Sequence, residues 1–87
     1  MKKIIFLVLI FEICLSKTVS ISGSVFNNEG KPSRKAEVTL FTLDESPIAL
    51  TKTNRKGRFE FPEINPDYYY LVINHLEDGM VRIKINP

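Results

Sequence analysis

The chain has 87 residues, 44% of them hydrophobic, with 12 basic and 10 acidic side chains giving a net charge of +2. That length holds one domain at most, and so even a charge balance gives no reason to expect nucleic acid or an anionic membrane as partner. With one cysteine, Cys14, and one histidine, His75, an internal disulfide and a zinc site built on histidines are both excluded.

Met1, Lys2 and Lys3 give a positive start, and an apolar run, IIFLVLIF from Ile4 to Phe11, continues through Ile13 to Leu15. Cys14 and Ser16 then supply small residues at a spacing suited to signal peptidase, which predicts a secretory signal peptide over residues 1–16 and a folded domain over 17–87. Glu12 interrupts the run, and Ile4 to Leu15 falls well short of the about 20 apolar residues that cross a bilayer as a helix. An uncleaved anchor and an ordinary buried strand or helix are the alternatives for this segment. Ile13 stands directly before Cys14, where a lipoprotein signal carries a small residue. Taking away Lys2, Lys3 and Glu12 leaves a net charge of +1 and removes the cysteine. The remaining domain has to be held by packing alone, and a core of this size supplies about 3–5 kcal/mol.

Beyond the leader, alternation with period two dominates and no window reads as an amphipathic helix. Residues 18–26 form the first predicted strand, with Val19, Ile21, Gly23 and Val25 on one face and Ser20, Ser22 and Ser24 on the other. Asn27 to Lys35 is a loop rich in Asn, Gly, Pro and Ser. The segment AEVTLFTL follows as a strand, with Val38 and Leu40 inward and Phe41 on the opposite face. DESP is a turn, IALTKT a third strand, and NRKG a tight turn in which Asn54 and Gly57 tolerate positive φ. RFEF sends Phe59 and Phe61 to one face. PEINPD is a loop whose Ile64 plugs the end of the core. YYYLVIN is the fifth strand, HLEDG a turn, and MVRIKIN the sixth, with Val81, Ile83 and Ile85 inward and Arg82 and Lys84 outward. Six short strands joined by loops too short for crossover helices predict an all-β fold, a small antiparallel sandwich of six to seven strands.

The order ISGSVFNNEGKPSRKAEVTLF, LTKTNRKGRFEFPEI and PDYYYLVI resembles the carboxypeptidase regulatory-like domain, a transthyretin-like or prealbumin-like β-sandwich. The residues that carry it are Gly23; Gly30 and Pro32 before Val38 and Leu40; Thr53, Gly57, Phe59 and Phe61; and Tyr69, Leu71 and Ile73. Within this family, the leader, the single sandwich and the ending GMVRIKIN are most similar to the lumenal sandwich of subunit 7 of the ER membrane protein complex. That resemblance implies a non-enzymatic interaction domain in a complex that inserts membrane proteins. The resembled subunit carries a transmembrane helix after its sandwich, and the present sequence departs from it in stopping at Pro87, which leaves a truncated subunit, a stand-alone secreted sandwich and a fragmentary gene product as the readings. A transthyretin-like hydrolase would need more than one histidine and a terminal Tyr-Arg-Gly-Ser, and the chain has neither.

No residue pattern points to catalysis. His75 sits beside Glu77 and Asp78 in a turn, where neighbours in sequence seldom converge on a metal. No serine lies in a strained Gly-flanked elbow, and NEGK and NRKG lead into strands rather than into the helix N-terminus that a phosphate loop requires. No cofactor is therefore expected. Phe41, Tyr68 and Tyr70 are the outward aromatics and form the candidate ligand or partner surface. They suit either a protein partner, including subunits of a membrane complex, or a carbohydrate whose pyranose face stacks on a ring. The expected location is the secretory pathway, in the ER lumen or at its membrane, or outside the cell.

Overall fold

A computed structural model describes residues 6–13, 18–75 and 79–86. Seven strands follow in order: β1 (Phe6–Ile13), β2 (Val19–Phe26), β3 (Glu37–Phe41), β4 (Pro47–Lys52), β5 (Arg58–Ile64), β6 (Tyr69–His75) and β7 (Gly79–Ile85). They form two antiparallel sheets, β1-β2-β5 and β4-β3-β6-β7, with no helix among the described residues. The all-β sandwich expected from the alternation is the fold observed.

The inward face of each strand is the one its alternation assigns. Ile21 and Val25 from β2, Val38 and Leu40 from β3, and Leu71 and Ile73 from β6 are fully buried, and Phe59, Phe61 and Tyr69 close the core around them. Phe59 and Phe61 meet edge to face, with ring centroids 6.0 Å apart. Gly23 is required by its partner across the sheet. A Cβ there would lie 2.7 Å from the Phe59 ring and 2.5 Å from the Val8 carbonyl oxygen.

Two boundaries differ from the sequence reading. Residues 62–64, expected in a loop, extend β5 to Ile64 through a bulge that opposes Val19 to Ile64 but Ile21 to Phe61, with Glu63 at φ 57°. Ile64 packs against the core as expected, but from the end of a strand. The strand expected to reach Leu43 stops at Phe41, because Thr42 is committed to the turn. Its amide donates to the Ser46 carbonyl at 2.9 Å and its hydroxyl donates to the Asp44 carboxylate. That hydroxyl bond first, then the Ser46 side chain, holds the Asp44 pKa below its ordinary 3.8.

The segment read as a leader forms β1, paired with β2 residue for residue from Phe6↔Phe26 to Ile13↔Val19. Leu7 and Leu9 pack against the core, while Val8 and Ile10 are each 52% exposed on the outer face. Residues 14–17, including the expected cleavage position after Ser16, lie outside the described residues, as do Glu77 and Asp78 beside His75.

Candidate interaction face

The outer face of the four-stranded sheet is built by the same alternation that builds the core. Because Val38, Leu40, Leu71 and Ile73 turn inward, Phe41, Tyr70 and Val72 turn out. Because Ile83 and Ile85 turn inward, Arg82 and Lys84 turn out. Antiparallel register then sets Phe41 directly opposite Tyr70, and Tyr70 opposite Lys84, in one row. The next row places Leu50, Thr39, Val72 and Arg82 side by side.

Two of the three aromatics singled out in the sequence are therefore cross-strand partners. Phe41 and Tyr70, with Val72, Met80, Arg82 and Glu45, line a shallow and largely apolar groove of about 240 Å³. Tyr68 stands just before β6, 49% exposed, on the same side of the chain as Tyr70. The Arg82 guanidinium lies 4.1 Å from the centre of the Tyr70 ring, and the Lys84 ammonium 5.4 Å from that of Tyr68. Such cation–π contacts cover part of the accessible ring face.

The aliphatic part of this face was missed by reasoning that followed the aromatics. Leu50 at 64% and Met80 at 68% exposure, together with half-buried Val72, extend the apolar surface beyond the rings. The signal was present in the alternation: in IALTKT and MVRIKIN the residues opposite the inward set include Leu50 and Met80.

Tyr69, between the two outward tyrosines, is buried, and its hydroxyl donates to the Asn65 carbonyl at 2.6 Å. Burial, and secondarily the nearby Asp67 charge, raises its pKa above 10.0. The turn NRKG is a closed hairpin loop. Asn54 Oδ1 accepts from the amides of Lys56 at 2.8 Å and Arg58 at 3.1 Å, and the Asn54 carbonyl accepts from Gly57 at 2.9 Å. Those amides are consumed by the turn, as its sequence implied. A wider, open depression of about 700 Å³ lies where the three-stranded sheet meets β4 at the edge of the other, lined by Ser22, Ser24, Lys52, Arg58 and Glu60 with Ile10 as part of the wall. Among the described residues no three His, Cys, Asp or Glu side chains could hold a metal ion together.

Most positions of the family-like pattern are buried: Gly23, Val38, Leu40, Thr53, Gly57, Phe59, Phe61, Tyr69, Leu71 and Ile73. They make the core and its turns rather than a reactive site. A family model described as the carboxypeptidase regulatory-like domain matches residues 20–83. The chain belongs to this family. The match runs from within β2 to within β7 and leaves out β1. A search of curated proteins found no matching relative. As a regulatory-like β-sandwich, the domain fits an interaction or accessory role.

Proposed function

We propose that the chain is a non-catalytic interaction domain of the secretory pathway, related to the lumenal sandwich of subunit 7 of the ER membrane protein complex, and that it meets a protein partner through the outer face of β3, β6 and β7. The observation that carries this reading is the row Phe41–Tyr70 beside Val72 and Met80, rimmed by Arg82 and Glu45. An apolar centre with a charged rim is the anatomy of a protein interface. The cations over Tyr68 and Tyr70 occupy ring surface on which a pyranose would stack, which favours a protein over a carbohydrate.

The leader reading is supported by the composition of β1. A strand that belongs permanently to a soluble sandwich carries polar residues on its solvent face, as the central strand β2 does with Ser20, Ser22 and Ser24. β1 instead presents Val8 and Ile10 there. From Leu7 to Phe11 both of its faces are apolar, as a segment selected to enter a translocon requires.

The test is co-purification from detergent-solubilised membranes of cells expressing the tagged chain. Subunits of the ER membrane protein complex should be recovered with it, and the double variant Tyr70→Ala, Arg82→Glu should lose them by roughly tenfold or more, the scale of an interface hot spot. Recovery only from the culture medium, without membrane-complex subunits, would overturn the reading. Binding of the medium form to a glycan array, abolished by Tyr68→Ala and Tyr70→Ala, would establish the carbohydrate module instead.

A further inference from the structure

We infer that the edge of β2 is a strand-acceptor site, filled by β1 before the leader is removed and afterwards by an extended apolar segment of another protein. The inference rests on the leader part of the proposed function and concerns a different surface from the face of β3, β6 and β7.

β2 has β5 on one side and β1 on the other. Cleavage after Ser16 would remove all of β1, and with it the register partner of every residue from Val19 to Phe26, leaving the backbone groups of alternate β2 residues without their cross-strand bonds. Exposed edges in soluble proteins are commonly protected by charges or proline. The β2 sequence VSISGSVF contains neither. Three of its four outward side chains are serines, Ser20, Ser22 and Ser24, small enough to leave the edge open.

The loss reaches beyond the backbone. Leu7 and Leu9 pack against the core from β1, opposite Val25 and Gly23. When they leave, the three-stranded sheet becomes a pair and the core lacks two apolar side chains beside a glycine that has none to offer. What restores it is a strand with apolar residues two positions apart. Main-chain bonds supply the affinity, and the two vacated positions supply the preference.

A second copy of the domain fills this gap poorly. If two β2 edges paired, the inward residues of each, Ile21 and Val25, would stay in their own core, where both are already fully buried. Neither could enter the space left by Leu7 and Leu9. The occupant with side chains to spare is a segment without a sheet of its own, and β1 shows its chemistry: extended, and apolar on both faces from Leu7 to Phe11.

The chain is expressed from its full coding sequence in secretory cells, and its N-terminus is read by mass spectrometry. The probe is a fluorescent synthetic peptide of residues 4–13 with solubilising lysines, beside a control carrying Leu7→Ser and Leu9→Ser. A chain that begins at Lys17 should bind the probe saturably and the control at least about tenfold more weakly, since two partly buried leucines are lost. Hydrogen exchange should slow on binding at the alternate β2 amides that face the vacated edge, and not at Val25, whose amide already donates to the Gly57 carbonyl at 2.8 Å. Absence of saturable binding, equal binding of the control, or a chain that is already dimeric with protected β2 amides each overturns the inference. A chain that retains residues 1–16 also overturns it, and the N-terminal mass shows that the leader reading failed rather than the acceptor.

Discussion

Thr53 shows how one side chain can hold an end of the sandwich. It is buried; its hydroxyl donates to the Ser33 carbonyl at 2.5 Å and accepts from the Ala36 amide at 2.9 Å, while its own amide donates to the Ala36 carbonyl at 3.0 Å. The loop after β2 is thereby tied to the hairpin between β4 and β5. Thr53→Val keeps the shape and strands two buried backbone groups, so it should cost about 2–3 kcal/mol by urea denaturation, whereas Thr53→Ser should retain most of the stability. Tyr69 adds a pH dependence. Its pKa is raised by folding, so the unfolded state ionises first, and the stability it contributes is complete below about pH 10 and lost as pH rises through the higher folded value. Tyr69→Phe should flatten the alkaline part of a stability-versus-pH curve and cost about 1 kcal/mol at neutral pH for the lost bond to Asn65. The inward place of Tyr69 was legible in the alternation of YYYLVIN. Its hydroxyl partner was not, because the partner depends on how the loop of residues 65–68 closes.

Among the elements, the hairpin joining β4 to β5 was the most fully legible. Asn54 and Gly57 marked its turn and Phe59 and Phe61 its buried face, since turn chemistry and alternation are local properties. Gly57 has a second constraint that is not local. At φ 75° it lies where side chains are strained, and an added Cβ would sit 2.5 Å from the Val25 carbonyl oxygen. Gly57→Ala should therefore lower the thermal midpoint, with a loss of at least about 1–3 kcal/mol from backbone strain alone. The end of β5 was not legible. Pro62 announced a loop, yet the strand runs on through a bulge, because pairing with Val19 at Ile64 outweighs a single local signal. The candidate face was half legible: alternation put Phe41 and Tyr70 outside, while only register made them partners.

At the scale of the whole molecule, β1 changes the balance of a small core. Leu7 and Leu9 are partly buried and pack against it. Removing residues 1–16 should lower the urea midpoint by the equivalent of about 1–3 kcal/mol, a large share of what a domain this size commands. A chain that lost nothing would show that β1 adds no packing. By itself the sequence determined the strands β2 to β7, apart from the ends of β3 and β5, and the inward face of each, because period two and turn residues are written within a few positions of one another. It also determined the family, whose pattern consists of those same core and turn residues. Tertiary structure alone decided which strands are neighbours: that Phe41 faces Tyr70, that Arg82 and Lys84 stand over the tyrosines, and that the apolar leader lies along β2. Alternation states which way a side chain points. What it meets there depends on pairing between segments far apart in the chain.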